Sequence, residues 1–145
     1  MSKTHAALEE FGKMVTIDVH DRSCWQLQQW MARPDHPYNS LDERSAEIVR
    51  DFLAVAVEAT FANFLRCIET YSIPVLFTNT DGTQIDVEQT SDGLQGEIAT
   101  EDGWLARYSK YNKETIDAVE PGPPPVYPGG KEIYAMQRRE QRAPE

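Results

Sequence analysis

The chain has few of the groups from which reactive sites are built. Of its 145 residues only two are cysteines, Cys24 and Cys67. They lie too far apart for a zinc-ligand spacing or a redox Cys-x-x-Cys pair, so they read as buried free thiols. Only three histidines occur, His5, His20 and His36, and none belongs to a His-Glu-x-x-His arrangement. A Gly-x-Ser-x-Gly elbow, a phosphate loop and a dinucleotide fingerprint are all missing as well, so no catalytic residue, metal or cofactor follows from any motif. No apolar run is long enough to span a bilayer, and residues 1–10 lack the basic-then-apolar order of a secretory signal, which points to a cytoplasmic protein.

Positive charge is the other scarcity. Lys and Arg number 14 against 24 Asp and Glu, a net charge of −10. The summed field repels phosphate, which argues against nucleic acid or an anionic membrane as partner and favours a cationic one. The plain alternative is that the charge only keeps the protein dissolved.

What is present suffices for a folded domain. Hydrophobic residues at 40% with aromatics at 10% exclude a mostly disordered chain, and the length falls in the single-domain range. Residues 1–119 read as one α+β domain. Leu8, Phe11 and Val15 recur at helical spacing from about Thr4, although Val15 to Val19 also alternates at strand period. Asp21 is placed to cap a second helix in which Cys24, Leu27 and Met31 share a face with Trp30 at its edge, ended by Pro34.

The clearest helix start is Ser40-Leu41-Asp42-Glu43, which has the capping-box form with Ser40 as cap. It opens a long central helix over residues 41–71, closed by Pro74. On a helical projection Val49, Leu53, Ala56, Thr60, Asn63 and Cys67 form its expected buried line, opposite Glu43, Glu47, Arg50, Glu58 and Arg66. The small, partly polar centre of that line admits two readings: close packing with Asn63 satisfied internally, or a helix–sheet pocket formed by Thr60, Asn63 and Cys67 with His20 nearby.

Residues 75–111 change character. Four short β-prone runs are separated by Asp81-Gly82, Asp92-Gly93 and Asp102-Gly103, and Asp-Gly between such runs is a strong hairpin signal. The expectation is a four-stranded antiparallel meander packed on the long helix, with Ile85, Val87, Leu94 and Ile98 facing inward. Asp86, Glu88 and Glu97 would then share an acidic outer face, relieved by Arg107 or Lys110 and bordered by Trp104.

Residues 120–130 are rich in proline and glycine and read as an extended linker. The basic tail over residues 131–145 can fold back onto its own acidic surface, cross to a second subunit, dock on something else, or remain untethered.

Three functional readings follow. The first is a small acidic binding protein that meets a basic macromolecular partner through Asp86, Glu88, Glu97, Trp104 and Arg107. In size and charge it resembles small acidic immunity or inhibitor proteins, a likeness that transfers no residue role. The second is a small-molecule or metal-binding enzyme using the helix–sheet pocket, the acidic residues supplying oxygen ligands if a metal were held. The third is a structural homodimer held by exchange of the C-terminal tail. An ordinary solvated acidic face is the bland alternative to all three.

Overall fold

A computed structural model describes residues 1–112 and 119–143, with nothing said of the Ala99 side chain. Helix makes up 65% of the structure, and the sheet among the described residues has two strands. The four-stranded meander is therefore not formed, and the α+β architecture gives way to a mainly helical one.

Residues 3–31 form one continuous helical rod. Helix α1 (Lys3–Val15) is capped by Ser2, whose hydroxyl accepts from the His5 amide at 3.1 Å. It runs through a π-helical segment, Thr16–Asp21, into α2 (Arg22–Met31). The π segment explains an otherwise odd burial pattern. Leu8, Gly12, Thr16, His20 and Cys24 are all buried at a spacing of four. In a regular α-helix that spacing would drift by about 160° from first to last, and the wider i→i+5 winding absorbs part of the drift. Asp21 is consequently not a cap: it has helical dihedrals, φ −66° and ψ −39°, and its carboxylate is used elsewhere.

A short 3₁₀ turn, Pro37–Ser40, leads to α3 (Glu43–Thr70). Its cap is Asp42, which accepts from the Ser45 amide and hydroxyl, both at 2.9 Å. The Ser40 hydroxyl instead donates to the Pro37 carbonyl, because residues 37–40 have already turned and Leu41 is extended. The capping motif was legible but is offset by two residues.

The buried line on α3 also moves. Phe61, Leu65 and Ile68 enter the core, whereas Thr60 and Asn63 are exposed and Cys67 is only half-buried. Burial is confined to the C-terminal half of α3, because the expected sheet is absent and the core is made by other helices.

The first Asp-Gly does close a hairpin. Strands β1 (Leu76–Thr78) and β2 (Gln84–Asp86) pair antiparallel with Phe77 opposite Ile85, and Gly82 takes φ +85° in the turn. The other two Asp-Gly pairs precede helices. After the one-turn α4 (Val87–Thr90), Gly93 opens α5 (Leu94–Ala99) and Gly103 opens α6 (Trp104–Tyr108). Leu94 and Ile98 fit a strand face at i, i+4 as well as a helix face, and both are buried in the helix. Gly103 is required by contact between the helices: a β-carbon there would lie 2.8 Å from the Glu97 and Ile98 carbonyl oxygens.

The core gathers Leu8, Phe11, Phe61, Leu65, Phe77, Ile85, Leu94, Ile98 and Trp104, with Phe11 edge-on to both Phe77 and Trp104. The proline-rich segment and the tail pack onto it. Trp25 donates to the Gly122 carbonyl at 3.0 Å, and buried Tyr127 donates its amide to Asp18 at 2.8 Å. Helix α7 (Gly130–Arg142) inserts Ile133 and places the Gln137 amide on the outer edge of β1. There Gln137 accepts from the Thr78 amide and donates to its carbonyl, as a neighbouring strand would. Of the placements open to the tail, residues 131–143 fold back on their own domain.

Candidate functional site

Two assemblies of polar side chains and one pair of clefts stand out. The first assembly sits where the π segment meets the end of α6. Asp21 accepts from the Ser109 hydroxyl, from the Lys110 amide at 2.9 Å and from His20 Nδ1 at 2.9 Å, while Ser109 Oγ accepts from the Tyr111 amide at 3.0 Å. His20, Asp21 and Ser109 are all buried. The three residue types are those of a hydrolytic triad, but the wiring is not. Serine and imidazole both address the same carboxylate oxygen, and the imidazole nitrogen that lies 3.4 Å from Ser109 Oγ is Nδ1, the one already bonded to Asp21, whereas a triad sets the two partners on opposite ring nitrogens. The cluster ties α6 to the first helical rod. Cys24, one turn further on, has its thiol pushed up to about 12 by burial, with the Asp21 charge adding to the effect, and is held as an unreactive thiol.

The second assembly is at the surface. Arg107 forms a two-pronged ion pair with Glu9 of α1, Tyr108 donates its hydroxyl to the same carboxylate, and the guanidinium lies 4.9 Å from the Tyr108 ring centre. Burial works to raise the Glu9 carboxyl. Hydrogen bonds from Arg107 and Tyr108 and the arginine charge outweigh it, leaving the group below its ordinary range. Tyr108 is pushed up to about 12, first by burial and then by its bond to Glu9.

The residues expected to form an acidic sheet face are dispersed into local roles. Asp86 caps α4 by accepting from the Glu88 amide at 3.1 Å, Glu88 pairs with the Gln89 side chain, and Glu97 accepts from Ser91 Oγ at 3.1 Å. Trp104 is wholly buried, and Arg107 is bound to Glu9. No shared strand face exists, because Glu88 and Glu97 lie on two different short helices. Among the described residues no group of three or more His, Cys, Asp and Glu side chains converges as a metal site would require.

The expected pocket is likewise taken apart. Thr60 bonds back to the Ala56 carbonyl at 2.8 Å, Asn63 accepts from Arg66 at 3.3 Å, and His20 belongs to the buried Asp21 cluster.

The concave surface lies elsewhere, on the hairpin made by α2 and the N-terminal half of α3. Its loop is fastened by Tyr38, which donates to the Ala46 carbonyl at 3.4 Å and accepts from Arg50 at 2.7 Å, and by Asn39, which donates to the Met31 carbonyl at 3.0 Å. Two helices make a single layer, and a layer has two sides. On one side is a cleft of about 580 Å³ with Cys24, Leu27 and Met31 along α2, Ala54 and Val57 beneath, and Glu43, Glu47 and Asp51 along α3, beside Arg50. On the other is a smaller, almost wholly apolar cleft of about 360 Å³ bounded by Trp30, Tyr38, Leu41, Val49 and Leu53.

The sequence pattern contained both walls. Glu43, Glu47 and Asp51 recur at a spacing of four, and Cys24, Leu27 and Met31 form an apolar stripe. What the pattern lacked was any sign that no third layer would cover them.

No helix among the described residues is long and apolar enough to cross a membrane. No family model matches the chain, and neither the curated proteins nor the solved structures include a significant match.

Proposed function

We propose that this protein is a recognition module that receives an amphipathic, basic helical segment of a partner protein in the larger cleft between α2 and α3. The observation that carries the reading is the composition of that cleft: an apolar floor of Leu27, Met31, Ala54 and Val57 along a wall bearing Glu43, Glu47 and Asp51, with Arg50 as the cation among its lining residues. An amphipathic helix buries its apolar stripe in such a groove and sets its flanking lysines and arginines against the carboxylates. The net charge of −10 draws a cationic partner in from a distance and sets the salt dependence of its arrival. This reading keeps the basic partner expected from composition and moves its docking surface from a sheet face to a helical hairpin.

The test uses two synthetic helical peptides with the same leucine stripe, one flanked by lysines and the other by glutamates. Fluorescence anisotropy should give binding of the lysine peptide that weakens as salt rises, and little binding of the glutamate peptide. The double variant Glu43→Lys, Glu47→Lys should invert that preference. Equal binding of both peptides, binding of neither, or a preference unmoved by the double variant contradicts the proposal.

A further inference from the structure

A different face of α3 remains bare. Ile48, Phe52 and Val55, one to two turns apart on one side of the helix, are 60%, 72% and 48% exposed. Ala59 continues the stripe and is exposed, Ala62 is half-buried, and Arg66 closes it, also exposed. The three large side chains leave about 350–400 Å² of apolar surface, and neighbouring alanines and aliphatic stems bring the stripe to about 500 Å².

We infer that a second copy of this chain covers this stripe, through antiparallel pairing of α3 with its two-fold mate about Ala59. Self-pairing accounts for features that an arbitrary partner would not. The pattern is large at the N-terminal end of the stripe and small in the middle, so a two-fold axis near Ala59 sets Phe52 of each copy against the Asn63–Arg66 turn of the other. The alanines let the backbones approach between those contacts.

The charges match under the same operation. Asp51 and Arg66 flank the stripe on either side of Ala59, seven or eight residues away, so the two-fold places Asp51 of each copy beside Arg66 of the other and repeats the pair at both ends. Covering two such stripes removes about 1,000 Å² in total, the size at which a specific interface becomes sustainable. The stripe is centred on a different side of α3 from Glu43 and Glu47 and meets the cleft along one edge, where Asp51 and Val55 belong to both.

Sedimentation velocity on the full chain tests this. The wild type should run at twice its 16.5 kDa mass at about 100 µM. Phe52→Asp should run as a monomer with an unchanged helical circular dichroism spectrum, since residue 52 is exposed and its loss leaves the core intact. Asp51→Arg and Arg66→Asp should each weaken the dimer about tenfold or more, and the double reversal should recover most of the loss, a rescue that general destabilisation cannot produce. A monomeric wild type at that concentration, a dimeric Phe52→Asp protein, or a double reversal no better than the single ones overturns the inference.

Discussion

The indole of Trp104 lies against the backbone of Gly12, so closely that a β-carbon at residue 12 would fall 2.2 Å from Trp104 Cε2. This contact joins α6 to α1 and seats the largest fully buried side chain of the protein. It also opposes two effects that usually act in sequence order. Alanine in place of a mid-helix glycine is favoured by about 1 kcal/mol on helix propensity, while overfilling a packed core costs about 1–3 kcal/mol.

Gly12→Ala is therefore expected to destabilise the protein, lowering the thermal midpoint by about 3 °C or more. Trp104→Ala should cost about 3–5 kcal/mol. Urea unfolding of both variants checks this, and a Gly12→Ala protein as stable as wild type would contradict the contact.

The Asp21 cluster gives a second expectation. Asp21→Ala takes the acceptor from the buried Ser109 hydroxyl and His20 imidazole and from the Lys110 amide, a loss of about 2–4 kcal/mol, whereas Ser109→Ala removes the bond to Asp21 and the one accepted from the Tyr111 amide and should cost about 1–2 kcal/mol. Denaturant titrations should rank the two in that order. The reverse order would mean that the carboxylate is not the centre of the cluster.

Glu9 and Tyr108 set opposite pH limbs. The Glu9 carboxyl is lowered from its ordinary 4.5, so the stability it contributes is fully present above that pH and is lost as the pH falls through its folded-state value. Tyr108 is raised from 10.0 to about 12, so its contribution is present below pH 10 and is lost as the pH climbs from 10 towards 12. Thermal midpoints across pH should show Glu9→Gln flattening the acid limb and Tyr108→Phe flattening the alkaline one. An acid limb unchanged in Glu9→Gln would remove Glu9 from the account.

The thiols should separate by rate. With its thiol pushed up to about 12 and its side chain buried, Cys24 is expected to ignore a disulfide reagent at pH 8 until the protein unfolds, while the half-buried Cys67 reacts in the folded state. Absorbance at the reagent's thiol band should show one fast equivalent, abolished in Cys67→Ser. Two fast equivalents would place Cys24 outside the core.

The helices before residue 71 were legible in the sequence, whereas α4 to α7 were not, and the misreadings have physical causes. The long helix was visible because 28 residues without Gly or Pro leave little alternative. The π segment was not, since residues 15–19 fit a strand period and a helix equally well and only burial at every fourth residue shows the wider winding. Asp81-Gly82 fulfilled its hairpin signal. Gly93 and Gly103 carry the same dipeptide but serve helix starts, and in Gly103 the glycine is there for contact between α5 and α6.

The site was harder still. Sequence pattern sorts side chains by face and assumes that an apolar face is covered. In α3 the expected buried line is only half-buried, with Thr60 and Asn63 exposed, and the carboxylates of the opposite side line a cleft. Which face finds a neighbour is decided by elements distant in the chain, here α5 and the first helical rod.

The most direct test of the recognition reading is residue-level mapping by ¹H–¹⁵N correlation spectra as the lysine-flanked peptide is added. The account predicts saturable shifts concentrated in residues 24–31 and 43–57, with the amides of α6 and α7 unmoved. Shifts centred instead on residues 86–97, or scattered over the surface without saturation, would contradict it.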